Sequence, residues 1–440
     1  MSEARFSENR PSPKRRTICV VGLGYVGLPL AYEFSRTSYN VIGYDINPEK
    51  IDRLASGFDV TGDVGDEAIE ECDITFTDDP SAISQAGFVL ITVPTPVTEL
   101  KIPDLTYVEQ AGETVGRHVE PETIIVLEST VYPGATREIL IPAIERTSNL
   151  TVGEDVFVGY SPERVVPGDT EHGIRDVMRI VSGQTDDVLE EVAALYETIV
   201  DAGVHRASEI EIAEAAKCVE NIQRDINIAL VNELAIACEH LELDTRAVLE
   251  AAETKWNFHK YRPGLVGGHC IPIDPFFIIT EAQRHGFTPK LIQQARAVNE
   301  YVPKHVAELS FRCMNECEKV PRSSTVLVFG LSYKPGVADI RTSAVSGTIH
   351  HLESYGVDVI GFDPYVDRHV AEAELEIEIQ ETLSFDEIDG MILATPHDMI
   401  HSIDLRQVAS DMAVNPFIVD VDRVLDERDV TNLGFNYRTL

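Results

Sequence analysis

The chain has 440 residues, 44% of them hydrophobic, which is enough for two or three domains with cores of ordinary size. Aspartate and glutamate total 74 against 36 lysines and arginines, so the formal charge is −38, and the acid is spread evenly rather than gathered in a tail. Such a surface repels nucleic acid and anionic membranes, so we expect neither as a partner, and it favours adaptation to high salt, where screening removes the self-repulsion.

Targeting segments and disulfides are not expected. Residues 1–16 lack the hydrophobic region of a secretory signal, and we predict that they form a disordered lead. Seven cysteines stand at scattered positions with no CxxC pair and no zinc-binding spacing, so we expect no metal site. An odd number of scattered thiols is typical of a reducing compartment, which indicates a cytoplasmic protein.

A dinucleotide-binding motif follows the lead. A β-branched strand meets Gly22, Gly24 and Gly27 in the pattern GxGxxG, a helical stretch follows, and a second strand ends at Asp45. The glycines allow a pyrophosphate to lie against the helix N-terminus, whose dipole favours anions. Asp45 is placed for the ribose hydroxyls of adenosine and would repel a 2′-phosphate, which indicates NAD rather than NADP. Lys50 could also reach the adenosine end.

Three further strands are predicted within residues 87–96, 123–134 and 155–168. Ligands lie outside the carboxyl ends of the strands in a doubly wound sheet, so the residues that follow each strand are candidates for the cofactor edge. Thr95 and the pair Ser129–Thr130 are such candidates, with ordinary turn residues as the alternative. Glu163 could orient water or handle a proton, with an ordinary surface glutamate as the alternative.

A long helix rich in Ala, Ile and Leu is predicted from about residue 208. Lys217, Asn221 and Arg224 lie on it at i, i+4 and i+7, so they share one face. A lysine beside a polar amide could stabilise a developing alkoxide. The alternative is a solvated stripe of polar side chains.

A cysteine stands in a glycine-rich turn after this helix. Gly267 and Gly268 precede His269 and Cys270, and Asp274 follows four residues later. Two adjacent glycines let backbone and ligand approach closely, and a thiolate needs such access to act as a nucleophile. The alternative is a buried cysteine in a tight turn.

A second, smaller doubly wound domain is predicted after a further helix that ends near residue 318. Residues 322–345 repeat the order strand, glycine turn, helix, and more strands are predicted at 358–362, 390–398 and 417–424. The first turn carries Tyr333 and Lys334 in place of a full GxGxxG, and Arg341 is expected at the start of the next helix. A nucleotide other than NAD is therefore expected in this domain.

A hydride acceptor and a cysteine nucleophile together permit the oxidation of an alcohol to an acid. The alcohol first becomes an aldehyde, the cysteine adds to give a thiohemiacetal, and a second hydride leaves to form a thioester. Water then releases the acid, and two NAD are consumed.

The sequence resembles the nucleotide-sugar 6-dehydrogenase family, which oxidises C6 of a UDP-hexose to a uronic acid. The resemblance runs from about Thr17 through nearly the whole chain and rests on GLGYVGLPLA, ESTVYPG, YSPERVVPGD, AKCVENIQRDINIALVNE, RPGLVGGHCI and GLSYKPGVADIR. The sequence is most similar to the UDP-N-acetylhexosamine branch, whose substrates include UDP-GlcNAc, UDP-GalNAc and UDP-ManNAc. UDP-glucose 6-dehydrogenase is the alternative.

The predicted architecture is α/β, with two Rossmann-like doubly wound domains joined by a long central helix and a helical segment. The predicted parts are the lead 1–16, an NAD-binding domain 17–207, a central dimerisation and catalytic segment 208–318, and a UDP-sugar-binding domain 319–440. Because the family forms dimers through the central helix, the resemblance also implies a homodimer.

The resemblance implies a role for each matching position. The catalytic set comprises the nucleophile Cys270, the proton donor or acceptor Lys217, the oxyanion-stabilising Asn221 and Asp274, and, for thioester hydrolysis, Glu163 with a water held by Thr130. The set implied in NAD binding comprises Gly22, Gly24, Tyr25, Val26, Gly27, Asp45, Thr95, Thr130 and Arg341. The set implied at the UDP-sugar comprises Arg164, Val165, Lys217, Asn221, Arg224, Gly267, Tyr333, Lys334 and, from the neighbouring subunit, Arg262.

Three positions depart from the UDP-glucose type. Glu128 and Ile273 stand where that type has lysine, and Pro167 stands where it often has a second glutamate. Glu128 and Pro167 agree with the N-acetylhexosamine branch.

Two other classes of protein agree less well with the sequence. Hydroxyacid dehydrogenases lack a second nucleotide domain and need no cysteine. A non-enzymatic nucleotide-sugar-binding protein would be expected to lose part of the Cys, Lys, Asn and Asp set, which is complete here.

Overall fold

The computed structural model describes residues 16–165 and 172–440, so the lead and Pro167 lie outside the described residues except for Arg16. The described chain divides into two compact units. The first takes the residues up to Glu220 together with Phe276–Thr288, and the second takes Asn221–Pro275 and Pro289–Leu440. The predicted domain bounds at 207/208 and 318/319 stay a prediction.

In its described residues, the first unit is built on a sheet of eight strands. The strands are β1 (Thr17–Val21), β2 (Asn40–Tyr44), β3 (Ile74–Thr77), β4 (Phe88–Ile91), β5 (Ile124–Leu127), β6 (Phe157–Tyr160), β7 (Arg179–Gly183) and β8 (Val204–Arg206). Their order is β3-β2-β1-β4-β5-β6-β7-β8, and neighbours run parallel except that β6 and β7 are antiparallel. The helices are α1 (Gly27–Ser35), α2 (Pro48–Ala55), α3 (Asp66–Glu71), α4 (Thr106–His118), α5 (Ile141–Thr147) and α6 (Asp186–Tyr196).

The helical segment lies between the two sheets in the chain. It comprises α7 (Ile210–His240), α8 (Thr245–Glu253), α9 (Asp274–Arg284) and α10 (Lys290–Glu316), and the boundary between the units falls within α7 and within α9. Among the described residues, no helix combines the length and the apolar character that a bilayer crossing requires.

The second unit contains a parallel sheet of six strands within residues 325–439, which are all described. The strands are β9 (Thr325–Phe329), β10 (Asp358–Phe362), β11 (Glu378–Ile379), β12 (Gly390–Leu393), β13 (Phe417–Asp420) and β14 (Asn436–Thr439). Their order, β11-β10-β9-β12-β13-β14, is that of a dinucleotide-binding fold. The helices that accompany them are α11 (Val345–Glu353), α12 (Arg368–Leu375), α13 (Leu405–Asp411) and α14 (Glu427–Asn432).

The central strands of both sheets are continuous apolar runs. In β4 and β5 every residue is buried, and in β1 and β9 four of five are. Parallel strands covered by helices on both faces require such runs, because neither face meets water. The predicted fold class, two Rossmann-like doubly wound sheets with a helical segment between them in the chain, is confirmed.

Local details differ from the sequence predictions. The predicted strands within 87–96, 123–134 and 155–168 form only four residues each, and the polar residues after them are loops. The interpretation also did not name β3, β7, β8, β11 and β14, which are edge or near-edge strands. Arg341 lies four residues before α11 begins at Val345 and therefore not at the helix start, because the turn after β9 is longer than expected.

Replacing Gly330 with alanine should destabilise the protein more than replacing Gly434 with alanine. Both glycines have φ in the left-handed region, +82° and +95°, so each alanine carries strain of about 1–2 kcal/mol. A Cβ at Gly330 would lie 2.1 Å from the carbonyl oxygen of Thr395, whereas a Cβ at Gly434 would meet nothing within 4 Å. We expect a further loss of about 1–3 kcal/mol at Gly330 from this overlap. Urea unfolding of both variants measures the difference, and equal losses would contradict it.

Candidate functional site

The turn after β1 has the geometry that a dinucleotide needs. Gly22 adopts a φ of +96° and donates its N–H to the carbonyl of Tyr44 at 2.8 Å. A Cβ on Gly27 would lie 1.9 Å from the carbonyl oxygen of Gly22, so helix α1 can pack against the turn only with glycine there. A Cβ on Gly24 would meet nothing within 4 Å, which leaves the space that a pyrophosphate takes in such folds. These residues therefore fit NAD.

Asp45 lies one residue beyond β2 and is almost fully buried. Its carboxylate accepts from the N–H of Leu23 at 2.9 Å, from the N–H of Asn47 at 3.0 Å and from Nζ of Lys50 at 2.7 Å. A carboxylate offers about four acceptor positions, so capacity remains for a ribose hydroxyl. Lys50 pairs with Asp45 here, and its contact with adenosine stays a prediction.

The other residues expected at NAD in the first unit follow strand ends or the glycine turn. Tyr25 is half-exposed and Val26 half-buried in the turn that leads into α1. Thr95 and Thr130 are half-buried in the loops after β4 and β5. The structure thus gathers the predicted set of this unit at the carboxyl edge of its sheet.

Glu163 is held tightly in the loop after β6. The N–H groups of Arg164 and Val165 donate to its Oε1 at 2.6 and 2.7 Å, and Arg179 donates to its Oε2 at 2.6 Å. Its side chain is only 14% exposed, so the alternative of an ordinary surface glutamate is wrong. Arg164 also pairs with Glu220 on α7 at 2.7 Å.

The sequence interpretation missed Arg179. It also noted Glu128 only as a departure from the family pattern, and the two side chains form a buried ion pair. The position of Glu128 directly after a fully apolar strand is the signal that could have identified the pair. A glutamate that is buried at such a position requires a cation as its partner.

The first turn of the second sheet repeats the arrangement at Gly22. Gly330 has a φ of +82° and donates its N–H to the carbonyl of Phe362 at 2.8 Å. The carboxylate of Asp363, one residue beyond β10, accepts the N–H groups of Leu331 and Ser332 at 2.8 and 3.1 Å. The predicted repeat of strand, glycine turn and helix is therefore confirmed, and the hydrogen bonds of the first turn recur in the second.

A fully buried histidine closes this second turn. Nε2 of His397 lies 2.9 Å from Oδ2 of Asp363, and Nδ1 of His397 lies 3.2 Å from the N–H of Gly336. Nδ1 must accept that proton, so Nε2 carries the hydrogen and donates to the aspartate. Burial raises the pKa of Asp363, but the histidine and the backbone N–H groups outweigh burial and lower it. The loop between Ser332 and Gly336, which carries Tyr333 and Lys334, is thereby fixed at both ends.

A small cavity of about 40 Å³ lies beside this loop in the second unit. Gly267, Tyr333 and Thr395 line it together with Leu265 and Asp422. Two of the residues expected at the UDP-sugar, Gly267 and Tyr333, therefore lie at one cavity. A Cβ on Gly267 would lie 2.9 Å from Cβ of Tyr333, so this approach requires glycine.

The cysteine loop leads directly into α9. Cys270 is half-buried, so the alternative of a buried cysteine is wrong, and all seven cysteines are described and outside disulfides. Gly268 has a φ of +92°, and α9 begins four residues after the cysteine with Asp274, whose N–H donates to the carbonyl of Cys270 at 2.8 Å. Asn221 donates from Nδ2 to Oδ2 of Asp274 at 2.5 Å. The side-chain amide of Asn221 and the carboxylate of Asp274 are thus hydrogen-bonded to each other, and Asp274 belongs to the turn that begins at Cys270.

The polar face of α7 is not a solvated stripe. Lys217 and Asn221 are 7% and 6% exposed, and Arg224 is half-buried. Burial of an ammonium group is costly without a function or a partner, which favours the functional interpretation of this face.

Two arginines from the predicted sets lie on the surface of the second unit. Arg262 pairs with Glu253. Arg341 pairs with Asp339 at 2.9 Å, and the carboxylate of Asp339 also lies 2.9 Å from Nε2 of His269. The contacts of Arg262 with a neighbouring subunit and of Arg341 with NAD stay predictions.

Models of one protein family match most of the chain. The NAD-binding domain of the UDP-glucose/GDP-mannose dehydrogenase family matches residues 16–200, its central domain matches 211–301, and its UDP-binding domain matches 327–427.

Curated relatives match over nearly their full length. Protein CapL of Staphylococcus aureus is 43% identical over 382 residues, which are 87% of this chain and 90% of that protein. UDP-N-acetyl-D-glucosamine 6-dehydrogenase of Pseudomonas aeruginosa is 41% identical over 411 residues, 93% of this chain and 97% of that protein.

A solved structure matches the whole fold. UDP-D-ManNAc dehydrogenase of Pyrococcus horikoshii aligns with a TM-score of 0.88 at 29% identity, covering 96% of this chain and 98% of that one. The resemblance that the motifs carry is confirmed. The chain belongs to the UDP-glucose/GDP-mannose dehydrogenase family and uses NAD as its oxidant.

Proposed function

We propose that this enzyme oxidises C6 of a UDP-N-acetylhexosamine to the uronic acid through a covalent bond to Cys270. The observation that carries the proposal is the hydrogen bond from Asn221 to Asp274, which joins two of the implied catalytic groups at the turn of the half-buried thiol. The relatives named as UDP-N-acetylhexosamine dehydrogenases support the choice of substrate.

The overall change is from a primary alcohol and water to a carboxylate. NAD, when bound, accepts one hydride in each of the two oxidations. The thiolate of Cys270 adds to the carbon of the intermediate aldehyde, which keeps this reactive group on the enzyme. After the second hydride has left, water adds to the thioester carbon and the carbon–sulfur bond breaks. One proton of the water stays on the acid and the other returns to the sulfur.

The other residues of the chain bind, orient and stabilise. Lys217 would give and take the proton of the C6 oxygen, and Asn221 with Asp274 would stabilise negative charge on that oxygen. Glu163 and Thr130 would orient the attacking water. Arg164, Val165, Arg224, Gly267, Tyr333 and Lys334 would hold the UDP-sugar, and Arg262 would reach it from a partner subunit.

Three further properties belong to the same proposal. A homodimer formed through α7 agrees with the exposed leucines of that helix, Leu230 and Leu234. Adaptation to high salt agrees with the formal charge of −38, and a reducing cytoplasm agrees with seven cysteines outside disulfides. The absence of nucleic acid and membrane partners stays a prediction from charge.

A panel of UDP-sugars tests the substrate and the stoichiometry. We expect UDP-GlcNAc, UDP-GalNAc or UDP-ManNAc to give the highest kcat/KM and two NADH for each sugar converted, in a reaction that accelerates as KCl is raised. NADH absorbance with each purified sugar is the measurement. A preference for UDP-glucose would identify the alternative enzyme, and one NADH per sugar would contradict the mechanism.

Cys270→Ser should stop the reaction after at most one oxidation, because a serine hydroxyl is hardly ionised at neutral pH and is a far weaker nucleophile than a thiolate. NADH yield per sugar and the mass of the intact protein measure this. Cys72→Ser is the matched control, since Cys72 is also half-buried and should keep the full yield. Two NADH per sugar from the Cys270 variant would overturn the covalent route.

Asparagine substitutions at the two matching aspartates should separate the two nucleotide sites. Asp45→Asn should raise KM for NAD about tenfold, the effect of losing about 1.4 kcal/mol of charge-assisted hydrogen bonding, and leave KM for the UDP-sugar unchanged. Asp363→Asn should do the reverse, because it loosens the loop that carries Tyr333 and Lys334. Thermal midpoints check that both variants are folded, and a shared effect on both KM values would contradict the assignment.

A further inference from the structure

A buried ionic cluster lies at the carboxyl edge of the first sheet. The guanidinium of Arg179 is 3% exposed, contacts the carboxylate of Glu128 and donates to Glu163 at 2.6 Å. The hydroxyl of Tyr196 donates to Glu128, and its ring centroid lies 5.0 Å from the guanidinium. These four residues are called the Arg179 cluster below, and they all belong to the first unit.

The topology of the sheet creates this cluster. Glu128 follows β5 directly, and Glu163 lies in the loop after β6, so both leave the same edge of the sheet. β7 runs antiparallel to β6, and its first residue is Arg179. This antiparallel pairing therefore places the beginning of β7 next to the ends of β5 and β6, and it brings a cation to two carboxylates. Ser161 also accepts from Nε of Arg179, at 2.9 Å.

Three donors fix the plane of the Glu163 carboxylate. Two backbone N–H groups bind Oε1, and Arg179 binds Oε2. Burial alone would raise the pKa of Glu163, but the guanidinium and the backbone N–H groups outweigh burial and lower it. A carboxylate held in this way is a weak proton acceptor and a well-oriented anion.

One guanidinium faces two carboxylates, so the cluster cannot balance both charges. Burial raises the pKa of Glu128 to about 7, with Arg179 opposing the rise and the charge of Glu163 adding to it. As the pH falls, Glu128 is therefore protonated before Glu163. The positive charge of Arg179 then remains to stabilise the ionised Glu163. The charged and titratable groups around Glu163 are Arg179 on β7, Glu128 after β5, Tyr196 on α6, and the pair of Arg164 and Glu220.

We propose that Arg179 is a positioning residue for the hydrolysis of the thioester, because it keeps Glu163 ionised and orients its carboxylate toward the attacking water. Glu163 then directs the water as a fixed anion and does not need to titrate during turnover. The inference rests on the proposed function, since it assumes the covalent bond to Cys270 and the role of Glu163 in its hydrolysis.

The test removes the guanidinium while preserving the charge balance. In the double variant Arg179→Gln/Glu128→Gln, the cation and one buried carboxylate disappear together, so the protein is not left with two uncompensated acids. Glu163 keeps its two backbone donors but loses the cation, and its pKa should rise. The matched control is Arg296→Gln/Asp225→Asn, which removes another buried ion pair, with 2.5 Å between Nη1 and Oδ1, from the second unit.

Two readouts separate positioning from a general structural defect. Pre-steady-state NADH formation reports the oxidations, and the mass of the acyl-enzyme on Cys270 reports hydrolysis. At pH 7 the double variant should hydrolyse the thioester roughly 10- to 100-fold more slowly, so that acyl-enzyme accumulates, while the first oxidation keeps its rate. In the pH profile of the hydrolysis rate, the fall on the acid side should move about 1 to 3 pH units upward, because protonation of Glu163 then begins at higher pH.

The comparison variants decide the outcome. Glu128→Gln alone keeps the guanidinium, so the fall on the acid side of its pH profile should not move upward, and that of the Arg296 control should not move either. An unchanged pH profile in the Arg179 double variant, or an equal loss in both half-reactions, would overturn the proposal. A failure of the underlying mechanism looks different, since Glu163→Gln would then accumulate no acyl-enzyme on Cys270.

Discussion

Both sheets depend on one backbone constraint, a left-handed glycine directly after their first strand. At Gly22 and Gly330 this conformation turns the chain so that the glycine N–H reaches the last residue of the neighbouring strand. The next N–H then meets a carboxylate one residue beyond that strand, Asp45 in one sheet and Asp363 in the other. Any side chain at the glycine would be strained, so the start of each nucleotide-facing loop is determined by a single residue type.

The two turns differ in the side chains that complete them. In the first turn a surface lysine pairs with Asp45, and the space beside Gly24 is open. In the second turn the fully buried His397 takes the corresponding place beside Asp363 and ties down the loop that follows. An open, glycine-lined turn suits a pyrophosphate that must approach the backbone, whereas a loop fixed by side chains presents its own Tyr and Lys. The same strand order thus supports two kinds of nucleotide site.

The sequence predicted the features that local patterns carry. Apolar runs that end in glycine, proline or hydroxyl residues identified the central strands of the first sheet, and the helical spacing of Lys217 and Asn221 identified a face that is indeed buried. The short edge strands had no such pattern, because their residues are only partly buried. Arg179 could not be predicted as a site residue either, since a lone arginine has no motif and its partner Glu128 lies 51 positions away. Its position depends on the antiparallel pairing of β7, which is a property of the whole sheet.

The buried ion pairs also explain how an extremely acidic surface can coexist with a defined active site. Salt screens the interaction between exposed charges that lie more than about 8–10 Å apart, but it screens buried pairs far less. Arg179 and Arg296 are both at most 4% exposed and both bind carboxylates directly. Arginine suits these positions because its guanidinium stays charged and its donors form a rigid fork. High salt can therefore relieve repulsion among surface acids while the charges that orient Glu163 keep their mutual geometry.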